Sequence, residues 1–209
     1  MIVVVDYGMG NLRSVSKALE SLGASVRVSD QPDDVAKAEQ LILPGVGAGP
    51  AAMRELSARK LVEPIKAAIA AGRPYLGICL GLQLLFDRSE EGEGVAGLGV
   101  LAGSVRRFAS NGLKVPHMGW NQIRPQAAGG RRQGNCPLLK GIEDGSFFYF
   151  VHSYYADPAD RSVVALEADY GGPFAAMVWR GNLYATQFHP EKSQALGLTL
   201  LKNFAALGS

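Results

Sequence analysis

Three short runs of consecutive apolar residues, Ile2-Val3-Val4-Val5, Leu41-Ile42-Leu43 and Tyr75-Leu76-Gly77-Ile78, constrain this chain more than any other feature. A strand that is apolar at every position has no face to offer water, so both of its faces must be covered, and a mainly parallel sheet clad in helices does this. The segments between the runs fit that demand. Asn11 is placed to cap a helix with Leu12, Val15, Leu19 and Leu22 on one stripe and Gly23 as its stop. Val26 and Val28 mark a further strand, and a helix is expected from about Lys60 to Ala71, with Pro64 near its first turn and Gly72 at its end. Tyr75 to Ile78 then runs into a helix predicted over Leu80 to Phe86.

The second half changes character. Residues 98–125 read as short strands broken by glycines, and 126–136 as an exposed polar loop, a tolerated surface insertion. Phe147 to Tyr155, Val163 to Leu166, Ala175 to Trp179 and Leu183 to Phe188 read as strands, the last two joined by a Gly181-Asn182 turn. Ser193 is expected to cap a final helix bearing Leu196, Leu200 and Phe204. The expectation is an α/β fold of one domain, 1–209: three layers, a central mostly parallel sheet with helices on both faces, and an antiparallel β extension. In such sheets the functional site lies beyond the carboxyl ends of the strands.

The 209 residues are 47% apolar and 19% charged with a formal net charge of +2, and the basic residues are scattered. That leaves no electrostatic footprint for nucleic acid or a membrane surface. No run approaches the roughly 18 apolar residues of a membrane span, and Met1 to Asp6 reads as a buried strand with neither the basic region nor the cleavage site of a signal peptide. With two cysteines and three histidines, the chain has neither a disulfide framework nor the Cys-x-x-Cys or His-x-x-x-His spacing of a metal site. A reducing cytoplasm and no cofactor are the expectations.

The chemistry-bearing stretch is Gly77-Ile78-Cys79-Leu80-Gly81, a Gly-x-Cys-x-Gly between a strand and a helix. This is the thiol counterpart of the sharp turn that exposes a serine nucleophile, and its glycines leave room where backbone must pass closely. A thiol at a helix N-terminus gains thiolate character, and the Leu80 N–H points where an oxyanion would form. The competing reading is a buried cysteine acting as a small apolar side chain.

A thiol nucleophile needs a base, and the base an acid to orient it. In Gln187-Phe188-His189-Pro190-Glu191-Lys192-Ser193, His189 and Glu191 are two apart, and extended backbone before Pro190 would point both to one side. The alternative is an ordinary approach to the helix capped by Ser193. His152 sits in an apolar strand and His117 has no acid nearby, so His189 is the better base. The third stretch, Leu41-Ile42-Leu43-Pro44-Gly45-Val46-Gly47, runs from a strand into a glycine-rich loop able to offer N–H groups to an oxyanion, or serving as a plain connection.

Pro44-Gly45-Val46-Gly47, Gly77 to Gln83 and Gln187 to Lys192 together resemble the triad (class I) glutamine amidotransferases, in that family's order and over nearly the whole chain. The resemblance implies that Cys79 attacks the amide carbon of L-glutamine, assisted by His189 and Glu191, through a γ-glutamyl thioester that water hydrolyses. It assigns the oxyanion hole to the N–H groups of Leu80 and Val46, and glutamine binding to Gly45, Gly47, Gln83, Ser153 and Tyr154. Asp6 to Val15 and Pro116-His117-Met118-Gly119-Trp120-Asn121 are similar to the glutaminase subunits of imidazole glycerol phosphate synthases. That likeness implies ammonia delivery to a (β/α)8-barrel cyclase subunit in a heterodimer, with Asn11, Met118, Trp120, Asn121 and Lys192 at the interface. Trp120 and Met118 beside polar Asn121 and His117 also read as the aromatic centre of an interface, the alternative being a strand of alternating burial. Three other readings stay open: the glutaminase of another synthase such as anthranilate synthase, a non-catalytic module, and a cysteine peptidase.

Overall fold

A computed structural model describes residues 1–92, 94–109, 112–126 and 136–208. Most of the 126–136 loop therefore lies outside the described residues; Cys136, at its end, is buried in the core.

The first half alternates as its pattern requires: β1 (Ile2–Val5), α1 (Leu12–Ser21), β2 (Val26–Ser29), α2 (Pro32–Lys37), β3 (Gln40–Gly45), α3 (Gly49–Ala58), α4 (Val62–Ala70) and β4 (Tyr75–Cys79). A single helical turn, α5 (Leu80–Gln83), follows, and then β5 (Phe86–Ser89) and β6 (Leu101–Arg107). The second half continues with β7 (His117–Gln122), β8 (Arg124–Pro125), β9 (Phe147–His152), β10 (Tyr154–Pro158), β11 (Val164–Asp169), β12 (Pro173–Arg180), β13 (Leu183–Thr186) and α6 (Gln194–Ala205).

Among the described residues, eight strands form the central sheet in the order β2-β1-β3-β4-β13-β12-β11-β8. From β2 to β13 every pairing is parallel. Beyond β13 the pairings are antiparallel, beginning at the β12–β13 hairpin where Arg180 faces Leu183. A three-stranded sheet (β10-β6-β5) and the antiparallel pair β7-β9 form the extension. Burial explains the layers. Along β1, Ile2 and Val4 join the cluster that holds Val15 and Leu19 of α1 and Leu200, Leu201 and Phe204 of α6. Val3 and Val5 join the opposite cluster with Val35, Leu56 and Ile65 of α2, α3 and α4. Two covered faces are what a strand without polar positions demands. No described helix is long and apolar enough to cross a membrane.

Several local expectations are corrected. The helix expected over Leu80 to Phe86 ends at Gln83, and Phe86 opens a strand. Helices α2 and α3 were not foreseen; Pro32 and Pro50 each stand in a first turn, where proline costs nothing. The expected strand Phe147 to Tyr155 is broken at Ser153. Neither Asn11 nor Ser193 caps a helix with its side chain. Ser193 Oγ instead donates to the His189 carbonyl (2.7 Å) and accepts from the Tyr149 N–H (3.0 Å), tying the segment after β13 to β9.

Helix α6 lies against the turn at Pro190–Lys192, and Gly197 makes that approach possible: a Cβ there would stand 1.8 Å from the Pro190 carbonyl oxygen. Alanine ordinarily stabilises a helix interior by about 1 kcal/mol over glycine, whereas a backbone clash of this kind costs about 1–3 kcal/mol or more. The clash wins, so Gly197→Ala is expected to lower stability in urea titration; an unchanged or raised midpoint would contradict this packing.

Candidate active site

The site forms where β3, β4 and β13 end, at the carboxyl edge of the parallel strands. Cys79 ends β4 with φ +54 and ψ −104, a left-handed conformation that costs energy for a side chain bearing a Cβ. The flanking glycines make it possible. A Cβ on Gly77 would lie 2.6 Å from the Gly81 carbonyl oxygen, and one on Gly81 would lie 1.9 Å from that of Leu43. The turn therefore folds back on itself and against β3 with no space for side chains. Because α5 is one turn long, its dipole gives the sulfur less than the expected longer helix would.

The Cys79 side chain is 5% exposed. Its Sγ lies 3.8 Å from the Val151 carbonyl oxygen and 3.6 Å from Gln187 Nε2. His189 follows β13 in extended conformation, and its Nδ1 is 2.9 Å from Glu191 Oε1, with both side chains almost wholly buried. Glu191 stands on a 3-10 turn, not on extended backbone, and its carboxylate reaches back to the ring from there. Asn11 Nδ2 approaches the same oxygen at 3.4 Å. Among the described residues, Nε2 of His189 has no hydrogen-bond partner. Burial acts to lower the pKa of His189, but the neighbouring Cys79 thiolate and the Glu191 carboxylate outweigh it and push it up to about 10. Tyr7, whose Oη donates to the Pro44 carbonyl (3.0 Å), is held protonated by burial and by Cys79.

Cys79 opens on a cavity of about 410 Å3 lined by Val46, Gly47, Leu80, Gln83, Ser153 and Tyr154, with Glu91, Pro116, Val151 and His152 completing the wall. Six of the candidate residues thus surround the thiol. Gly45 does not: it is buried behind the wall, where a Cβ would meet Tyr7 Oη at 2.5 Å and Leu80 Cβ at 2.7 Å. Sequence reasoning missed Glu91, which accepts from the Gly49 N–H at 2.6 Å and faces the cavity. It also missed Gln187, wholly buried between Gln83 and Cys79.

On β7 the burial alternates. His117 is buried, while Met118 and Trp120 are 62% and 46% exposed on the other side. Lys192 Nζ lies 5.8 Å over the ring of Tyr149, the cross-strand partner of Trp120. Asn11 is turned inward to Glu191, and Asn121 Nδ2 donates to the Asp169 carbonyl (2.8 Å). His117 and His152 are linked, Nδ1 to Nε2, at 3.0 Å, and His152 Nδ1 lies 2.8 Å from the Tyr154 carbonyl oxygen. A carbonyl only accepts, so His152 carries its proton on Nδ1 and His117 donates to His152 Nε2.

Burial lowers both rings' pKa values, to about 4 for His117 and about 3 for His152. Unfolded imidazoles take a proton near 6.5, so between that pH and about 4 the unfolded chain binds more protons than the folded one. The stability is whole above about 6.5 and falls with acidification, by up to about 1.4 kcal/mol per pH unit for each ring. His189 is charged in both states over that range and adds no slope there. Urea midpoints should drop steeply from pH 6.5 to 4, and His117→Gln should flatten the dependence; an equal slope in the variant would contradict the assignment.

The chain matches the family described as glutamine amidotransferase class-I over residues 3–206. It is 55% identical to imidazole glycerol phosphate synthase subunit HisH of Syntrophotalea carbinolica, with 98% of each chain covered. To the same subunit of Rhodopirellula baltica it is 54% identical, covering 98% of this chain and 97% of that one. Among solved structures it is similar to one described as a glutamine amidotransferase (TM-score 0.75, 20% identity, 100% and 99% covered). It is also similar to the structure of PurLQS from Thermotoga maritima (TM-score 0.72, 21% identity, 99% and 97% covered).

Proposed function

Because the chain belongs to the class-I glutamine amidotransferases, we propose that the buried Glu191–His189 pair beside Cys79 is the catalytic triad by which it releases ammonia from L-glutamine. The chain is a glutamine amidotransferase of histidine biosynthesis, the glutaminase subunit of an imidazole glycerol phosphate synthase, as its likeness over nearly full length to the curated subunits supports. The observation that carries the residue assignment is the 2.9 Å His189–Glu191 contact, buried next to a thiol on a strained turn at the mouth of a cavity.

The steps follow from the geometry. Glu191 fixes the His189 tautomer with the proton on Nδ1, leaving Nε2 to take the Cys79 proton. The thiolate attacks the side-chain amide carbon, and the negative oxygen of the tetrahedral intermediate is met by the backbone N–H groups of Leu80 and Val46. The imidazolium hands its proton to the leaving nitrogen, ammonia departs, and a thioester of the glutamyl side chain remains on Sγ. His189 then activates a water that releases glutamate. Gly47, Ser153 and Tyr154 frame the substrate, and the Glu91 carboxylate suits its α-ammonium. Gln83 spends both amide hydrogens on Tyr154 and Gln187, which leaves its oxygen as a second acceptor for that ammonium.

Ammonia passes to a (β/α)8-barrel cyclase subunit within a heterodimer in the cytoplasm. Exposed Met118 and Trp120, with Lys192 beside Tyr149, form the docking edge. No cofactor is required.

Cys79→Ala is expected to abolish glutamine-dependent synthesis in the complex, by at least about 10^3-fold, and to leave synthesis from ammonium salts intact. Continued release of glutamate from glutamine by this variant would overturn the nucleophile assignment. Trp120→Ala should weaken association with the cyclase by about 2 kcal/mol or more with little loss of stability. An unchanged dissociation constant in titration calorimetry would remove Trp120 from the interface.

A further inference from the structure

The Gln187 side chain touches the sulfur that the proposed chemistry uses, and neither its place nor its neighbours are those of a packing residue. It sits at the end of β13, is wholly buried, and its backbone N–H is spent on the Ala176 carbonyl (2.8 Å). A buried primary amide carries two donors and an acceptor, and leaving them unmade is costly. The structure accounts for this amide at both ends: Oε1 accepts from Gln83 Nε2 at 3.1 Å, and Nε2 lies 3.6 Å from Cys79 Sγ.

The surroundings decide which end of the amide faces the sulfur. The Tyr154 carbonyl can only accept, and Gln83 Nε2 approaches it at 2.9 Å, so the nitrogen of Gln83 must point that way. The same nitrogen faces Gln187, which must answer with its oxygen. The NH2 group of Gln187 is therefore turned toward Cys79. The Tyr154 carbonyl is itself fixed, since His152 Nδ1 donates to it at 2.8 Å and Phe108, His117 and Phe174 pack around the His152 ring.

We propose that Gln187 is a further catalytic residue: its Nε2–H donates to the Cys79 sulfur, stabilising the thiolate and aiming it, in an orientation imposed through Gln83 by the Tyr154 carbonyl. The sulfur also meets an acceptor, the Val151 carbonyl at 3.8 Å, which suits the neutral thiol and opposes the anion. Gln187 supplies the anion with a donor besides His189. His189 provides charge from one side and Gln187 a fixed dipole from another, so the sulfur is held as an anion up to its attack on the amide carbon.

This inference rests on Cys79 being the nucleophile, and the experiment separates the two. Gln187→Met keeps the length of the side chain and removes the donor; Gln187→Glu keeps the acceptor for Gln83 and places an anion by the sulfur. Alkylation of Cys79 by iodoacetamide is followed against pH in the full-length protein, with peptide mass spectrometry to separate it from Cys136. The groups facing the sulfur that also titrate are His189, which adjoins it from the segment after β13, and Tyr7, from the segment after β1. Both variants retain them. A hydrogen bond to a charged group corresponds to about a tenfold change or more. The alkylation profile of Gln187→Met should therefore move about one pH unit or more higher, and that of Gln187→Glu further still. The kcat for glutamine should fall at least about tenfold while KM changes less. Wild-type alkylation profiles in both variants, or in Gln187→Glu alone if Gln187→Met does not fold, would overturn the role of Gln187. Retained glutaminase activity in Cys79→Ala would instead overturn the nucleophile, leaving the two failures distinguishable.

Discussion

Two pieces of main chain approach closely at the site, the Leu43 carbonyl of β3 and the Cα of Gly81 just past the Cys79 turn, where a single added carbon would sit 1.9 Å from the oxygen. Much else follows from that contact. It brings the glycine loop after β3 beside the turn after β4, so that Val46, Gly47, Cys79 and Leu80 share one cavity wall. It also forces Cys79 into a left-handed conformation, a local cost that the fully buried strands on either side can sustain because their own stability comes from apolar burial on two faces. The third contributor arrives from far along the chain: β13 inserts beside β4 with Thr186 opposite Ile78, and the residues that follow it turn into the same space.

The three histidines show how one fold holds one side chain type in two charge states. His117 and His152 are sealed among Phe108, Phe150 and Phe174 with neutral hydrogen-bond partners, and burial keeps them uncharged. His189 is equally buried but has a carboxylate at 2.9 Å and a thiol as neighbour, and there the charged form wins. Solvent exclusion is common to all three, so the sign of the shift is set by the partner.

Much of this was legible in the sequence, for identifiable reasons. The unbroken runs at Ile2–Val5 and Tyr75–Ile78 announced strands covered on both sides. The glycines at 77 and 81 announced a turn too tight for side chains, and the spacing of His189 and Glu191 placed them within reach of each other. What escaped was whatever depends on a distant partner. Gln187 acquires its role from Cys79 and Gln83, each more than a hundred residues away in sequence. Glu91 is polar amid other acids until folding turns it into the cavity. Ser193 has the residue type and place of a helix cap, but its hydroxyl meets the His189 carbonyl and the Tyr149 N–H instead. Gly45, placed among the substrate contacts through its motif, serves the packing of Tyr7 and Leu80 behind the wall.

The tight turn at Gly77–Gly81 divides the site into parts that can be exchanged and parts that cannot. The thiol is one atom at the tip of a side chain, and another nucleophile of similar size would occupy the same place. The two glycines do not line the cavity, yet any larger residue there meets backbone, that of α5 at Gly77 and that of β3 at Gly81. An attempt to install a different chemistry on this scaffold can start from the reactive group and leave its neighbours untouched: the architecture is committed to where a nucleophile stands, and only lightly to which nucleophile it is.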